Sequence, residues 1–121
     1  MGVENNECVI ATTWDDNSVN SIRQWIQTQE PVYQTLFAVL PSLVNSKQTI
    51  ILAPDGSKKG WDTANEGDLL RNSFIKKLKE FDYEDGSNPF AFVEVGYGEF
   101  GQKVLRGNNT NCYSDSEYAA A

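Results

Sequence analysis

The sequence predicts one α/β domain in which helices pack against a mixed four-stranded sheet. Short β-branched apolar runs, typical of buried strands, alternate with longer segments in which apolar residues recur at helical spacing. The length of 121 residues suits a single domain. Hydrophobic residues make up 40% of the chain, which is enough for a core that needs neither a disulfide nor a metal.

The first strand is predicted over residues 8–13, where the run CVIATT follows a flexible polar arm over residues 1–7. A helix comes next, and Asp16 or Asn17 is expected to be its N-terminal cap. The apolar face of this helix consists of residues at helical spacing, namely Val19, Ile22, Trp25 and Ile26.

A second helix is predicted from Pro31, because proline is favoured in the first turn of a helix. Pro41 is expected to kink or end it. Its core face is predicted to consist of Val32, Leu36, Leu40 and Leu43. The second strand is predicted over residues 49–53 (TIILA), and the run PDGS at residues 54–57 is a strong turn signal.

Thr63, with Glu66 three residues later, has the pattern of a capping box and predicts the start of a third helix. The apolar stripe of this helix is predicted to be Leu70, Phe74, Leu78 and Phe81. A third strand is predicted over residues 90–97 (FAFVEVGY), and a hairpin joins it to a fourth strand over residues 102–106.

The predicted order is β-α-α-β-α-β-β within residues 8–107, followed by a flexible tail over residues 108–121. The helical crossover between the first two strands predicts that they are parallel, whereas the last two form an antiparallel hairpin. This order, with Pro89 at the head of the third strand, resembles the thioredoxin-type arrangement in topology. The run WDDN at residues 14–17 stands where that family has Cys-x-x-Cys, so the resemblance implies no redox activity.

The net charge of −7 disfavours binding to nucleic-acid backbones and anionic membranes, which attract clustered Lys and Arg. We therefore expect no direct contact with nucleic acid or membrane. No apolar stretch approaches the ~20 residues that cross a bilayer, and the first residues lack the basic and apolar regions of a signal peptide. These features predict a cytoplasmic protein in which Cys8 and Cys112 are reduced, although a bridge between them stays open.

The chain contains no histidine, which excludes His-dependent nucleophilic and acid–base catalysis and His-containing zinc sites. Two isolated cysteines do not complete a thiolate metal site, and the glycine-rich motifs of phosphate-binding loops are absent. We therefore predict no catalytic residue, no metal site and no cofactor.

Two polar clusters remain as candidate binding residues, one after each of the first two strands. They are Trp14, Asp15 and Asp16, and then Asp55, Lys58, Lys59 and Trp61. Because parallel strands end at the same edge of a sheet, all of them are expected at one end, where open α/β sheets bind ligands.

Each cluster has a functional and a structural interpretation. Lys58, Lys59 and Trp61 precede a helix N-terminus and could hold an anion or a nucleotide, or the loop could be a plain surface connection. Asp15 and Asp16 could hold magnesium for phosphoryl transfer. Capping of the helix by Asp16 is the simpler interpretation.

We expect a small, acidic, non-enzymatic binding module that acts through protein–protein contact, as accessory proteins and inhibitors do, and that forms a homodimer or a weak oligomer. Residues 90–93 place large apolar groups on both faces of the sheet, so that helices on one side would leave the other side open. Edge pairing through residues 102–106 is a second route to self-association.

The alternative functions are a small-ligand binder for a nucleotide or other anion and a magnesium-dependent phosphoryl-transfer enzyme. Leu40, Phe74 and Val93 are predicted core residues.

Overall fold

The two long helices lie on one face of a five-stranded sheet in the structure, a computed structural model that describes residues 5–58 and 60–108. The strands are β1 (Asn5–Thr13), β2 (Phe37–Pro41), β3 (Gln48–Leu52), β4 (Phe90–Gly98) and β5 (Gly101–Gly107). The helices are α1 (Asp16–Gln27), α2 (Pro31–Gln34) and α3 (Asp62–Lys79). The four predicted strands are therefore confirmed to within a few residues, and β2 is additional.

The strands lie in the order β2-β3-β1-β4-β5, and every neighbouring pair is antiparallel. With α1 after β1 and α3 after β3, the first four strands have the split β-α-β, ferredoxin-like arrangement, which β5 extends at one edge. The predicted mixed four-stranded sheet with thioredoxin-like order is therefore wrong in strand number, strand direction and order.

The difference arises at residues 37–41, which the sequence predicts as helix and which form β2. A short apolar run fits a buried helix and a strand equally well by its periodicity. The chain then turns through residues 42–47, where Asn45 and Ser46 both have positive φ (67° and 51°) and the Ser42 N–H donates to the carbonyl oxygen of Lys47. The predicted second helix consequently stops at Gln34, and Leu40 is 51% exposed instead of in the core.

The β2–β3 hairpin also reverses the direction of β3 relative to the prediction. Val9 pairs with Leu52 and Thr13 pairs with Gln48, so β1 and β3 run antiparallel. The prediction that these two strands are parallel is wrong, because it counted one strand too few between them.

The core lies between the sheet and the two long helices. It contains one face of β1, β3 and β4 together with the apolar stripes of α1 and α3, which are Val9, Ala11, Ile50, Leu52, Phe90 and Phe92, and Ile22, Ile26, Leu70, Phe74, Ile75 and Leu78. The rings of Trp25 and Phe74 stack at 5.8 Å between the helices. The predicted core position of Phe74 is confirmed, whereas Val93 is half-buried on the opposite face of the sheet.

The starts of both long helices differ from the predicted caps. Asp15, and not Asp16 or Asn17, caps α1, because its Oδ1 accepts a hydrogen bond from the Asn17 backbone N–H and its Oδ2 accepts one from Ser18. The capping box predicted for α3 does not form. Thr63 bonds to the Ser57 hydroxyl, and the helix has no side-chain cap.

Residues 5–7, predicted as part of a flexible arm, belong to β1. Residues 1–4, Lys59 and residues 109–121, which include Cys112 and nearly all of the predicted tail, lie outside the described residues. Within the described part of the chain, no helix combines the length and the apolar character needed to cross a membrane.

Candidate functional site

The antiparallel sheet separates the two predicted clusters. Trp14, Asp15 and Asp16 follow the end of β1 that pairs with the start of β3, whereas Asp55 and its loop follow the opposite end of β3. The expectation that both clusters share one end of the sheet is therefore wrong. Lys59 lies outside the described residues.

The cluster after β1 holds the start of α1 in place. Asp15 caps the helix, and Oδ1 of Asp16 accepts a hydrogen bond from Nε2 of Gln48 at 2.6 Å, which ties the helix to β3. Trp14 is exposed. Among the described residues, no group of three or more acidic or cysteine side chains is placed to hold a metal ion.

The cluster after β3 faces the first half of α3. Oδ1 of Asp55 accepts a hydrogen bond from the backbone N–H of Ser57 at 2.9 Å, which closes the predicted turn, with Gly56 at a φ of 83°. The carboxylate lies against Gly67 of α3 so closely that a Cβ at that position would collide with Oδ2. Trp61 and Lys58 are partly exposed.

Asp55 borders a cavity of about 520 Å³ between the first half of α3 and the β4–β5 hairpin. The lining includes the charged and aromatic side chains Glu7, Asp55, Asp68, Arg71, Phe100 and Lys103. A bulge between Glu94 and Val95 leaves Leu105 without an opposite residue on β4, and Leu105 also contributes to the wall. Of these residues, only Asp55 is a candidate binding residue from the sequence.

A buried ionic cluster forms the base of the cavity. The Arg71 side chain is only 8% exposed, and its Nη2 lies 3.0 Å from Oε2 of Glu7 and in contact with Asp68. Its Nε has no hydrogen-bond partner, and Oε2 of Glu94 lies 3.5 Å away. Glu94 also accepts a hydrogen bond from Nε of Arg106 at 2.6 Å, which raises the pKa of Arg106.

The opposite face of the sheet is a second candidate surface, because the helices do not pack on it. Residues paired directly across antiparallel strands share a face. By the register, this face consists of Asn6, Cys8, Ile10 and Thr12 of β1, Ala38 and Leu40 of β2, Thr49 and Ile51 of β3, Ala91, Val93, Val95 and Tyr97 of β4, and Gln102 and Val104 of β5. We call this set the uncharged face, since none of its members carries a charge.

The hydrogen bond of 2.9 Å between the hydroxyls of Thr12 and Thr49 supports this assignment of the face. The sequence indicated part of it, because alternate residues of a strand lie on opposite faces of a sheet. In the strand predicted over residues 90–97, Val93 and Val95 would share one face and Phe92 and Glu94 the other, as the structure has them. Neither a protein-family model, nor a curated protein, nor a solved structure matches the chain.

Proposed function

We propose that the protein is a small non-enzymatic binding module that acts through protein–protein contact, and that its partner on the uncharged face is a second copy of the chain. The observation that carries this proposal is an apolar sheet face that no described helix covers. Four antiparallel neighbour spacings make the face about 20 Å wide. Contiguous apolar patches that are large in area and exposed to solvent mark interaction surfaces in proteins.

Charge favours a second copy over a basic partner. The chain carries 17 acidic and 10 basic residues, yet none of those that the structure describes lies on the uncharged face. A surface selected to bind a basic protein would present carboxylates to it. Two copies of a chain with net charge −7 repel each other least where they meet through uncharged groups.

The exposure of individual side chains supports the same surface. Leu40 and Val104, on the two outer strands, are 51% and 61% exposed, and Tyr97 is also exposed. Ile51 and Val93 of the inner strands are half-buried by their neighbours on the sheet. Packing against a second face would bury all of them, and burial contributes about 25 cal/mol per Å² of apolar area.

The two alternative functions find less support in the geometry. An anion or nucleotide at the loop of residues 55–61 would meet the Asp55 carboxylate beside Lys58. A magnesium site that combines Asp15 and Asp16 with Asp55 would need groups from opposite ends of the sheet. We place the module in the cytoplasm, where a reducing environment suits the free thiol of Cys8.

The test is the oligomeric state, measured by sedimentation velocity and by light scattering coupled to size exclusion. We expect a dimer for the wild type and a monomer for Ile10→Lys, at the centre of the face, and for Val104→Lys, at its exposed edge. Leu43→Lys is the matched control, because Leu43 is fully exposed in the turn between β2 and β3 and lies off the face. Circular dichroism confirms that each variant is folded.

A wild type that stays monomeric at high concentration would overturn the proposal. So would a Leu43→Lys variant that dissociates as readily as Ile10→Lys. If Val104→Lys dissociates the dimer while Ile10→Lys leaves it intact, copies associate by pairing of β5 edges, and the uncharged face is not the interface.

A further inference from the structure

β5 is an edge strand of the sheet, and no described strand pairs with its outer side. Its inner side pairs with β4. Residues 101–104 are exposed and pair with β4 without interruption, and the bulge at Leu105 comes after them. The outward backbone N–H and C=O groups of an edge strand can pair with a further extended segment. The side chains of β5 determine which segment fits.

Lys103 determines the charge that this edge accepts. It is exposed and forms no ion pair among the described residues. Its neighbours Gln102 and Val104 belong to the uncharged face, so Lys103 lies on the helix side of the sheet. Opposite charges on paired strands are stabilising, and like charges are destabilising. β5 contains two basic residues and no acidic one, so β5 of a second copy would offer Lys103 no carboxylate.

An acidic segment with a suitable alternation follows β5 in the same chain. Residues 112–118 have the sequence CYSDSEY. In an extended conformation the carboxylates of Asp115 and Glu117 would share one face, and the serines beside them would share the other. With the carboxylates on the helix side, near Lys103, the serines would extend the uncharged face and keep it free of charge.

We propose that residues 112–118 of this chain pair with the outer side of β5 as a sixth, antiparallel strand. The segment has seven residues, as β5 has. Its carboxylates select it over β5 of a second copy as the partner of this edge. The pairing uses the edge of the sheet and leaves the uncharged face open, so the inference does not rest on the proposed dimer.

Asn108 defines where the return turn begins. Its Nδ2 donates a hydrogen bond to the carbonyl oxygen of Phe90 at 2.6 Å, and its Oδ1 accepts one from the N–H of Phe92 at 3.0 Å. The chain therefore still follows β4 at Asn108, and the turn begins after it. Residues 109–111 (NTN) make a three-residue turn in which asparagine is favoured, because it tolerates positive φ.

This turn sets the register of the proposed pair. Counting along both strands places Glu117 opposite Lys103. Ser116 is then opposite Val104, on the side of the uncharged face. Asp115 shares the face of Glu117 and lies within diagonal reach of Lys103. A turn with an even number of residues would move both carboxylates to the side of the uncharged face, away from Lys103.

The first experiment measures amide hydrogen exchange along β5 of the full chain by NMR. We expect Asp115→Lys with Glu117→Lys to speed the exchange of the outward N–H groups of residues 102–104 about tenfold, because each loses a backbone hydrogen bond. Adding Lys103→Glu to this variant restores opposite charges and should recover slow exchange. The inward N–H groups bond to β4 and should be unchanged, which makes them an internal control.

Glu80→Lys with Glu84→Lys is the matched control variant. Both residues are exposed, lie between α3 and β4, and change the net charge by the same amount as the double substitution in the segment. The control should leave exchange in β5 unchanged. The proposal is wrong if the control speeds exchange equally, if the substitutions in the segment have no effect, or if Lys103→Glu does not restore slow exchange.

The second experiment traps the pair with a disulfide and identifies which chain supplies the segment. Val104→Cys with Ser116→Cys, in a full chain that carries Cys8→Ala and Cys112→Ser, places two thiols opposite each other and should oxidise within one chain. Val104→Cys with Glu117→Cys is the control and should oxidise more slowly, because position 117 faces the other side. A disulfide-linked dimer, or equal rates for the two pairs, would overturn the proposal.

Discussion

Asp55 and Gly67 are in contact, so that the loop after β3 is fixed against the first half of α3. A methyl group at position 67 would collide with Oδ2 of Asp55 and would lie 3.2 Å from Nη1 of Arg71. Glycine inside a helix costs about 1 kcal/mol relative to alanine. At this position the close approach of a carboxylate requires it.

A double-mutant cycle on this pair should show coupling. In the wild-type background, Gly67→Ala should not raise the free energy of unfolding, although alanine has the higher helix propensity. The reason is that the methyl group displaces the Asp55 carboxylate from its turn. In an Asp55→Ala background, the same substitution should stabilise the protein by about 1 kcal/mol. Urea unfolding of the four proteins measures the coupling, which we expect to be at least about 1 kcal/mol. Additive effects would contradict the contact.

Glu94 should be the acidic residue whose loss costs most. Its side chain is 4% exposed and lies between Arg71 and Arg106. Glu94→Ala should lower the free energy of unfolding by about 3 kcal/mol, since it removes one partner of a buried ion pair. Glu94→Gln keeps an acceptor for Arg106 and should cost about 1–2 kcal/mol. Equal effects of the two variants in thermal unfolding would show that hydrogen bonding to Arg106 contributes nothing.

Periodicity predicted most of the helices and strands but not the topology. The stripes of α1 and α3 and the alternation in β4 are long enough to distinguish a period of 3.6 from one of 2. The run over residues 37–41 is only five residues long, and its turn has Asn-Ser instead of the more diagnostic Asn-Gly. One missed strand reversed the predicted direction of β3 relative to β1, whereas the antiparallel hairpin of β4 and β5 is confirmed.

The candidate cavity could have been found in part from the same patterns. Arg71 lies one turn after Gly67 and one turn before Ile75, on the buried stripe of α3. Glu94 shares a face with Phe90 and Phe92 in the predicted strand. A basic and an acidic residue on two core-facing stripes indicate a buried ion pair. The cavity itself depends on the β5 bulge and the position of Phe100, which no local pattern specifies.

Leu40 and Phe74 should respond differently to truncation. Phe74 is fully buried, so Phe74→Ala should cost about 3–5 kcal/mol at any protein concentration. Leu40 is half exposed on the uncharged face, so Leu40→Ala should cost less than about 1 kcal/mol in dilute protein. If the face is a dimer interface, the cost should grow with concentration, because association stabilises the wild type more. Thermal unfolding over a range of concentrations measures both.

Asp15 should contribute more to stability than its neighbour Asp16. Asp15→Ala removes two hydrogen bonds at the start of α1 and should cost about 1 kcal/mol. Asp16→Ala removes one exposed contact with Gln48 and should cost less than about 0.5 kcal/mol. Asp15→Ser, which retains a capping oxygen, is the control and should recover most of the loss. A larger effect at Asp16 in urea unfolding would show that the cap is wrongly assigned.

Cys8 should make the stability depend on pH in the alkaline range. Burial of the thiol, and next the negative charge of Glu94, raise its pKa above the ordinary value of 9.0. The unfolded chain therefore releases this proton at lower pH than the folded protein does. The contribution of the thiol to stability is complete below the unfolded pKa and is lost as the pH rises through the folded pKa.

The measurement compares the parent with Cys8→Ala, both carrying Cys112→Ser so that one thiol remains in the parent. Free energies of unfolding at about pH 8 and about pH 10 should fall more steeply for the parent, because only the parent has a buried thiol to ionise on unfolding. Tyrosine and lysine titrate in the same range but are common to both proteins, so the difference isolates Cys8. Parallel curves would mean that the thiol is as readily ionised in the folded protein as in the unfolded chain.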